Sequence, residues 1–265
     1  MLQESGGLEL VHEDHWLTIR FNRPEKRNAL SSDTVTALTS VLDQARDDST
    51  IRGITFRGNG GVFSSGGDLK GFMEAEESAD PVATIRDASR DAGELFALID
   101  GMPQVVVMLV EGAAMAGGLG LLCAGDIVIT TRDAQFSLTE TTLGIPPAQI
   151  APYVVRRLGL RTARRIMLTA TRFDGDDALK LGLANEVVDT ADELTEKERE
   201  IRKAVLRCGP EANAATKEIL LSVGEMDTDE LIDLAADRFA SCMTSQEGRE
   251  GIAAFLGKRK PDWAR

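Results

Sequence analysis

Val105-Val106-Val107-Met108-Leu109-Val110 runs directly into Glu111-Gly112-Ala113-Ala114-Met115-Ala116-Gly117-Gly118-Leu119-Gly120. The first six residues are apolar without alternation, the pattern of a strand covered on both faces, as in a parallel sheet. The Gly/Ala run that follows leads into an apolar helical stretch. A strand that ends in small residues at a helix start lets two backbones approach closely. It also presents backbone N–H groups that have no intrahelical partner and carry partial positive charge. Such groups can stabilise an anion that develops during a reaction. The same run serves close strand–helix packing equally well.

Working outward, the same alternation repeats. Residues 8–21 read as two short strands around the turn His12-Glu13-Asp14-His15, and Ser32 is the expected cap of a helix whose apolar face holds Val35, Leu38, Val41, Leu42 and Ala45. Ile51 to Arg57 is the next strand, ending in Gly58-Asn59-Gly60-Gly61. Asp80-Pro81 pairs a helix N-cap with proline at the first helical position, and Met102-Pro103 stops that helix. Asp126–Thr130 and Ala134–Ser137 read as further short strands. Strands alternating with helices to about residue 190 predict an α/β core. Beyond it the pattern is helical, with starts at Pro210, Asp227 or Thr228, and Ser245. The expected division is an α/β core over 1–195 and a helical C-terminal region over 196–265.

The chain has 265 residues, enough for one large domain or two small ones. Hydrophobic residues at 43% and charged residues at 28% exclude a disordered or collagen-like chain. A formal net charge of −13 argues against a general nucleic-acid binder or a protein held to anionic membranes, since both need a basic footprint. Cys123, Cys208 and Cys242 are far apart and odd in number, so no disulfide framework is implied and a cytoplasmic location fits best. His12 and His15 are the only histidines. With no HExxH or Cys/His cluster, no metal site is expected, and with no G-x-S-x-G elbow a Ser-His-Asp triad is not expected either. Residues 1–10 lack the cationic start and apolar run of a signal peptide, and Val105–Val110 is too short to span a membrane.

Two more segments could carry chemistry. Gly58 to Lys70, which holds five glycines and contains Phe63-Ser64-Ser65-Gly66-Gly67-Asp68-Leu69-Lys70, follows a strand and exposes backbone donors to a ligand. It is neither a P-loop nor a dinucleotide fingerprint, and by itself it could be a flexible surface turn. In Gln135-Phe136-Ser137-Leu138-Thr139-Glu140-Thr141-Thr142-Leu143-Gly144, Glu140 is a lone carboxylate in a weakly polar stretch. Burial would raise its pKa and suit it to acid/base work, whereas exposure would leave it an ordinary loop charge.

Together with Phe21-Asn22-Arg23-Pro24-Glu25-Lys26-Arg27-Asn28-Ala29-Leu30, Leu179 to Val188 and Glu247 to Pro261, these segments resemble the crotonase, or enoyl-CoA hydratase/isomerase, superfamily in order along nearly the whole chain. The resemblance implies a spiral of ββα units whose C-terminal helices build a homotrimer or a dimer of trimers. It implies an acyl-CoA thioester as substrate, with coenzyme A as part of that substrate and no separate cofactor. Backbone N–H groups at Gly67 and Gly117 would hold the thioester oxygen. Lys26, Arg27, Ser65, Asp68, Leu69 and Lys70 would lie along the CoA, with the three cations near its phosphates. Phe255 and Lys258 would reach the CoA of a neighbouring subunit.

Hydratases of the superfamily generally use two glutamates. One matches Glu140; the other falls at Gly120, and Glu111, nine residues earlier, is no substitute. Three readings follow: a hydratase (hydro-lyase) with Glu140 as sole acid/base, a Δ3,Δ2-enoyl-CoA isomerase, and a catalytically silent CoA-binding protein. Residues 140–152 resemble bacterial hydratases of branched glutaconyl-CoA esters, such as isohexenylglutaconyl-CoA and 3-methylglutaconyl-CoA hydratases. That resemblance favours hydration of a branched or glutaconyl-type ester, with Gly120 expected to free room for the acyl chain.

Overall fold

The computed structural model describes residues 5–264. The first four residues and the last one of the expected division therefore lie outside the described residues. Strands β1 (Leu8–Glu13) and β2 (Trp16–Phe21) form an antiparallel hairpin. Its turn is Asp14-His15, both at positive φ, which gives the backbone twist that joins two adjacent strands tightly. His12 and Glu13 thus belong to β1 rather than to the turn.

Helix α1 (Ser32–Arg46) follows, and its cap is Ser31, one residue before the expected Ser32. Ser31 has the extended backbone a cap needs, and its hydroxyl accepts the Thr34 N–H at 3.3 Å. Strand β3 spans Gly53–Gly58 rather than beginning at Ile51, and the Arg52 N–H just before it bonds to the His15 carbonyl. A short helix, α2 (Leu69–Ala75), was not expected from the glycine-rich segment. It is capped by the Asp68 side chain, which accepts the Lys70 N–H. Helix α3 (Pro81–Asp100) starts at the Asp80 cap as anticipated.

Strand β4 (Val105–Val110) is almost wholly buried. The Gly/Ala run after it hides a further strand, β5 (Ala113–Met115), before helix α4 (Gly117–Ala124). Then come β6 (Ile127–Thr131), β7 (Gln135–Ser137), α5 (Ala151–Thr169, interrupted at Gly159), α6 (Gly175–Leu181) and β8 (Glu186–Val188). The main sheet has the order β1-β2-β3-β4-β6-β8, parallel from β2 onward. A second sheet holds β5 and β7, and Ser64 extends it through a parallel bridge to Ala114. Each chain turn therefore gives one strand to the main sheet and a short one to the second: β3 then Ser64, β4 then β5, β6 then β7. This is the α/β core that the alternation implied, built from the repeated ββα units that the resemblance implied.

The larger core lies between the main sheet, α1, α3, α4 and α5. A smaller one lies under α7 (Ala191–Val205), on the other face. Helix α7 runs through residue 195 and packs on β4, β6 and β8. Its docking is polar as well as apolar. Buried Glu198 accepts from Thr55 and from Arg202, while the Trp16 indole N–H donates to Thr55 and the Arg202 guanidinium lies over the Trp16 ring. Helices α8 (Pro210–Ser222), α9 (Thr228–Thr244) and α10 (Gln246–Leu256) complete the chain, with α8 and α9 burying no residue fully. No helix of the described residues is long and apolar enough to cross a membrane.

Removing one partner of a buried ion pair strands the other charge. Glu198→Ala should therefore lower unfolding free energy in urea by about 3–5 kcal/mol. Glu196→Ala, which breaks an exposed pair on the same helix, should cost under about 1 kcal/mol.

Candidate active site

The site forms where the glycine-rich loop meets the start of α4. Two hydrogen bonds run between Leu30 and this loop, from the Leu30 N–H to the Gly66 carbonyl and from the Asp68 N–H to the Leu30 carbonyl. Gly67 lies between those anchor points, so its own N–H is turned away from Leu30 and stays available. Across the gap, Gly117 opens α4, where an N–H has no partner in the helix. The Gly67 nitrogen is 3.7 Å from the point where a Gly117 side chain would begin, so the Gly67 donor lies against the first residue of α4.

That approach needs small residues on both sides. A Cβ on Gly66 would lie 2.8 Å from the Met115 carbonyl oxygen, and one on Gly118 would lie 2.7 Å from the Ser64 carbonyl oxygen. Ala116, which aims the Gly117 N–H, has φ 49° and ψ −123°, a conformation an L-residue adopts only under strain. Fully buried Ser64 braces the loop: its hydroxyl donates to the Asn28 carbonyl at 2.8 Å and accepts the Gly66 N–H at 3.1 Å. The Asn28 amide in turn donates to the Asn59 and Val62 carbonyls. Asn28 appears in the quoted sequence as one residue of a run; nothing in the run alone shows that it clamps a loop more than thirty positions away.

A cavity of about 340 Å³ opens over these donors. Gly67, Gly117, Ser65, Asp68, Leu69 and Glu140 all line it, so the structure gathers residues from three separate segments of the chain. Glu140 begins a single 3-10 turn, Glu140–Leu143. Its Oε2 is buried without a hydrogen-bond partner, and burial pushes its carboxyl above the usual carboxylate range. The remaining wall is apolar, made chiefly by Phe72 of α2, by Ala88, Ala92 and Leu95 of α3, and by Ile150. No Lys, Arg or His is among the lining residues; the carboxylates are Asp68, Asp91 and Glu140. Asp68 is engaged as the cap of α2.

Lys26, Arg27 and Lys70 are exposed at the margin. The Arg27 carbonyl accepts the Ser65 N–H at 3.0 Å, which sets the Lys26–Arg27 turn beside the cavity, and Lys70 lies between the lining residues Leu69 and Gly71. Phe255, 82% exposed, and Lys258 lie at the end of α10 and do not line this cavity. Glu111 is held by Arg57 at 2.9 Å.

Gly120 stands differently from the expectation. It is buried and does not line the cavity. A Cβ there would lie 2.1 Å from Ile150 Cγ2, so the room glycine frees is filled by Ile150 and not left for an acyl chain. Ile150 is distant in sequence and gave no signal of this pairing.

The comparison with known proteins is unambiguous at family level. Residues 13–265 match the model of the enoyl-CoA hydratase/isomerase family. The chain belongs to this family. It is 45% identical to the solved structure of Pseudomonas aeruginosa AtuE, covering 98% of this chain and 100% of that one with a TM-score of 0.95. An enoyl-CoA hydratase/isomerase structure from Marinobacter aquaeolei is 37% identical, with coverage of 98% and 99% and a TM-score of 0.94. The crotonyl-CoA hydratase of Syntrophomonas wolfei is 29% identical over 256 residues, 96% of either chain. As in other family members of this fold, the helical C-terminal region follows an α/β core with a parallel-rich sheet.

The Gly120–Ile150 contact has a measurable consequence. Alanine normally stabilises a helix relative to glycine, yet Gly120→Ala should lower stability by about 1–3 kcal/mol because it overpacks this contact. Thermal and urea unfolding of the two proteins will check the sign.

Proposed function

We propose that the protein is a hydro-lyase that adds water across the 2,3 double bond of an enoyl-CoA thioester with a branched or glutaconyl-type acyl group. The observation that carries this reading is the convergence of the Gly67 and Gly117 donors and the buried Glu140 carboxyl on one cavity. The thioester oxygen accepts from both N–H groups. Glu140, ionised, takes a proton from water as the water oxygen bonds to C3. The electron pair of the double bond moves to C2 and the thioester oxygen, where the two donors stabilise the enolate. Glu140, now protonated, returns the proton to C2. Loss of one such donor typically costs about 3–4 kcal/mol of transition-state stabilisation. The reaction is redox-neutral, so coenzyme A enters and leaves with the substrate and no other cofactor is required.

Lys26, Arg27 and Lys70 are the proposed phosphate contacts of the CoA, with Ser65 and Leu69 beside its pantetheine arm. The similarity of residues 140–152 to branched glutaconyl-CoA hydratases supports the acyl class. A distal carboxylate on such an ester would meet no cation among the lining residues, whose charged members are Asp68, Asp91 and Glu140. The three cysteines are unpaired, which suits the cytoplasmic location we propose. Isomerisation of a 3-enoyl-CoA needs only one carboxylate to carry a proton between carbons and is the second reading.

Glu140→Gln should reduce kcat by about 10²–10⁴-fold while binding of a product-like CoA ester changes little. For the wild type, kcat/KM should fall as pH drops through a pKa above 4.5, because desolvation keeps Glu140 protonated to higher pH. The linkage has the matching sign. The folded state favours the protonated carboxyl, so ionisation on raising pH through the shifted pKa removes stability, and Glu140→Gln should melt higher at neutral pH. A panel of 2-enoyl-, 3-enoyl- and 3-methylglutaconyl-CoA esters with product identification decides the reaction. Isomerised products without any 3-hydroxyacyl-CoA would select the second reading.

The C-terminal helices leave large apolar side chains outside, among them Leu220, Ile232, Phe239 and Leu256. Large apolar side chains left exposed along the last three helices suit an assembly face. We propose a homotrimer or a dimer of trimers that brings Phe255 and Lys258 to a neighbour's CoA. Light scattering at micromolar concentration should give three or six times the chain mass of 28.6 kDa; a monomer would remove this role for Phe255 and Lys258.

A further inference from the structure

The segment between Glu140 and α5 is held at both ends and open in the middle. At one end the Thr141 hydroxyl donates to the Met167 carbonyl; at the other Ile150 is buried against Gly120. Between them residues 144–149 cross the cavity as a strap, and Pro146 and Pro147 restrict its backbone. Among the described residues, one hydrogen bond joins this strap to α3: Gln149 Nε2 donates to Ser89 Oγ at 3.2 Å. The bond is exposed at the edge of the cavity, beside a notch in α3. Gly93 lies one helical turn beyond Ser89 on the same face of α3, and a Cβ there would lie 2.5 Å from Gln149 Oε1 and 2.9 Å from Cδ. Glycine in the interior of a helix costs stability relative to alanine. Here it gives the Gln149 amide its seat.

The notch opens on the cavity. Gln149 and Ser89 both line it, next to Ala88 and Ala92, whose small side chains leave the space between α3 and the strap open. A hydrocarbon chain that extended from the thioester along α3 would meet this amide–hydroxyl pair. Methylenes that reach the pair gain no apolar contact and displace a hydrogen bond. We infer that the Gln149–Ser89 contact, seated at Gly93, is the end stop of the acyl site and sets the longest acyl chain the enzyme accepts. The inference rests on the reading of this cavity as an acyl-CoA site and names residues that decide specificity within it.

The test uses saturated acyl-CoA esters of about four to about twelve carbons, which do not react, so their binding is independent of whether the enzyme hydrates or isomerises. Affinities are measured by calorimetry for wild type, Gln149→Ala and Gly93→Ala. Each buried methylene tightens binding about fourfold. Wild type should follow that trend to a limiting length and then level off or weaken. Gln149→Ala removes the stop, and Gly93→Ala pushes the amide from its seat while favouring the helix. Both should extend the rise by two or more methylenes, tightening binding of the longer esters by about sixteenfold or more relative to the shortest. The kcat/KM ratio of long to short enoyl-CoA esters should move in the same direction, and melting temperatures confirm that both variants are folded. The same limiting length in all three proteins, or a rise without limit in wild type, overturns the end stop alone. Failure of wild type to bind any ester of the series overturns the acyl-CoA reading itself, and the end stop with it.

Discussion

The contact on which the site depends is the close approach of two backbones, the loop at Gly66–Gly67 and the first turn of α4 at Ala116–Gly118. Side chains on Gly66 or Gly118 would strike carbonyl oxygens at under 3 Å, so the chain can bring its two free donors together only with glycine at these places. The strain at Ala116 is held by what surrounds it: its N–H is bonded to the Ser137 carbonyl, and Met115 before it is bonded to the Ser64 carbonyl. The second sheet exists, in effect, to hold these segments in register. Ser64, β5 and β7 are its members, and each leads directly into a part of the site.

Glu140 shows the opposite balance between stability and chemistry. Its Oε2 is removed from water without a hydrogen-bond partner, which is costly for a carboxylate and would be selected against in a purely structural position. The same burial is what raises its proton affinity above that of an ordinary carboxylate. The apolar wall behind the site has the same origin. Ile150 fills the space beside Gly120, so no second carboxylate can stand there without displacing a well-packed side chain. The absence of a carboxylate at position 120 and the apolar wall at Ile150 are therefore one arrangement, made by two residues thirty positions apart in sequence.

The remainder of the molecule divides by how its surfaces are covered. Helix α7 is secured to the sheet by a buried polar network around Thr55, Glu198 and Arg202. Helices α8 and α9 have no such cover, and Lys217, which reaches Asp126 and the Gln104 carbonyl, is one of the polar ties from α8 to the α/β core. Large apolar side chains on them, such as Leu220, Ile232 and Phe239, stay exposed.

Much of this was legible in residue order. Unbroken apolar runs such as Val105–Val110 mark buried parallel strands, Asp80-Pro81 marks a helix start, and glycine-rich segments after strands mark places where a backbone is exposed. These are local effects of side-chain size, backbone freedom and solvent transfer, so the sequence alone determined the α/β class, the helical C-terminal region and the membership of Gly67, Gly117 and Glu140 in candidate segments. Short strands such as β5 and the small helix α2 escaped because they are stabilised by partners far along the chain rather than by their own propensity. The tertiary structure alone decided which segments meet. It placed the Gly67 donor against the first residue of α4, buried one oxygen of Glu140, gave the space beside Gly120 to Ile150 and seated Gln149 against Gly93. Each of these depends on distances between residues remote in sequence, and no local pattern of residues encodes such a distance.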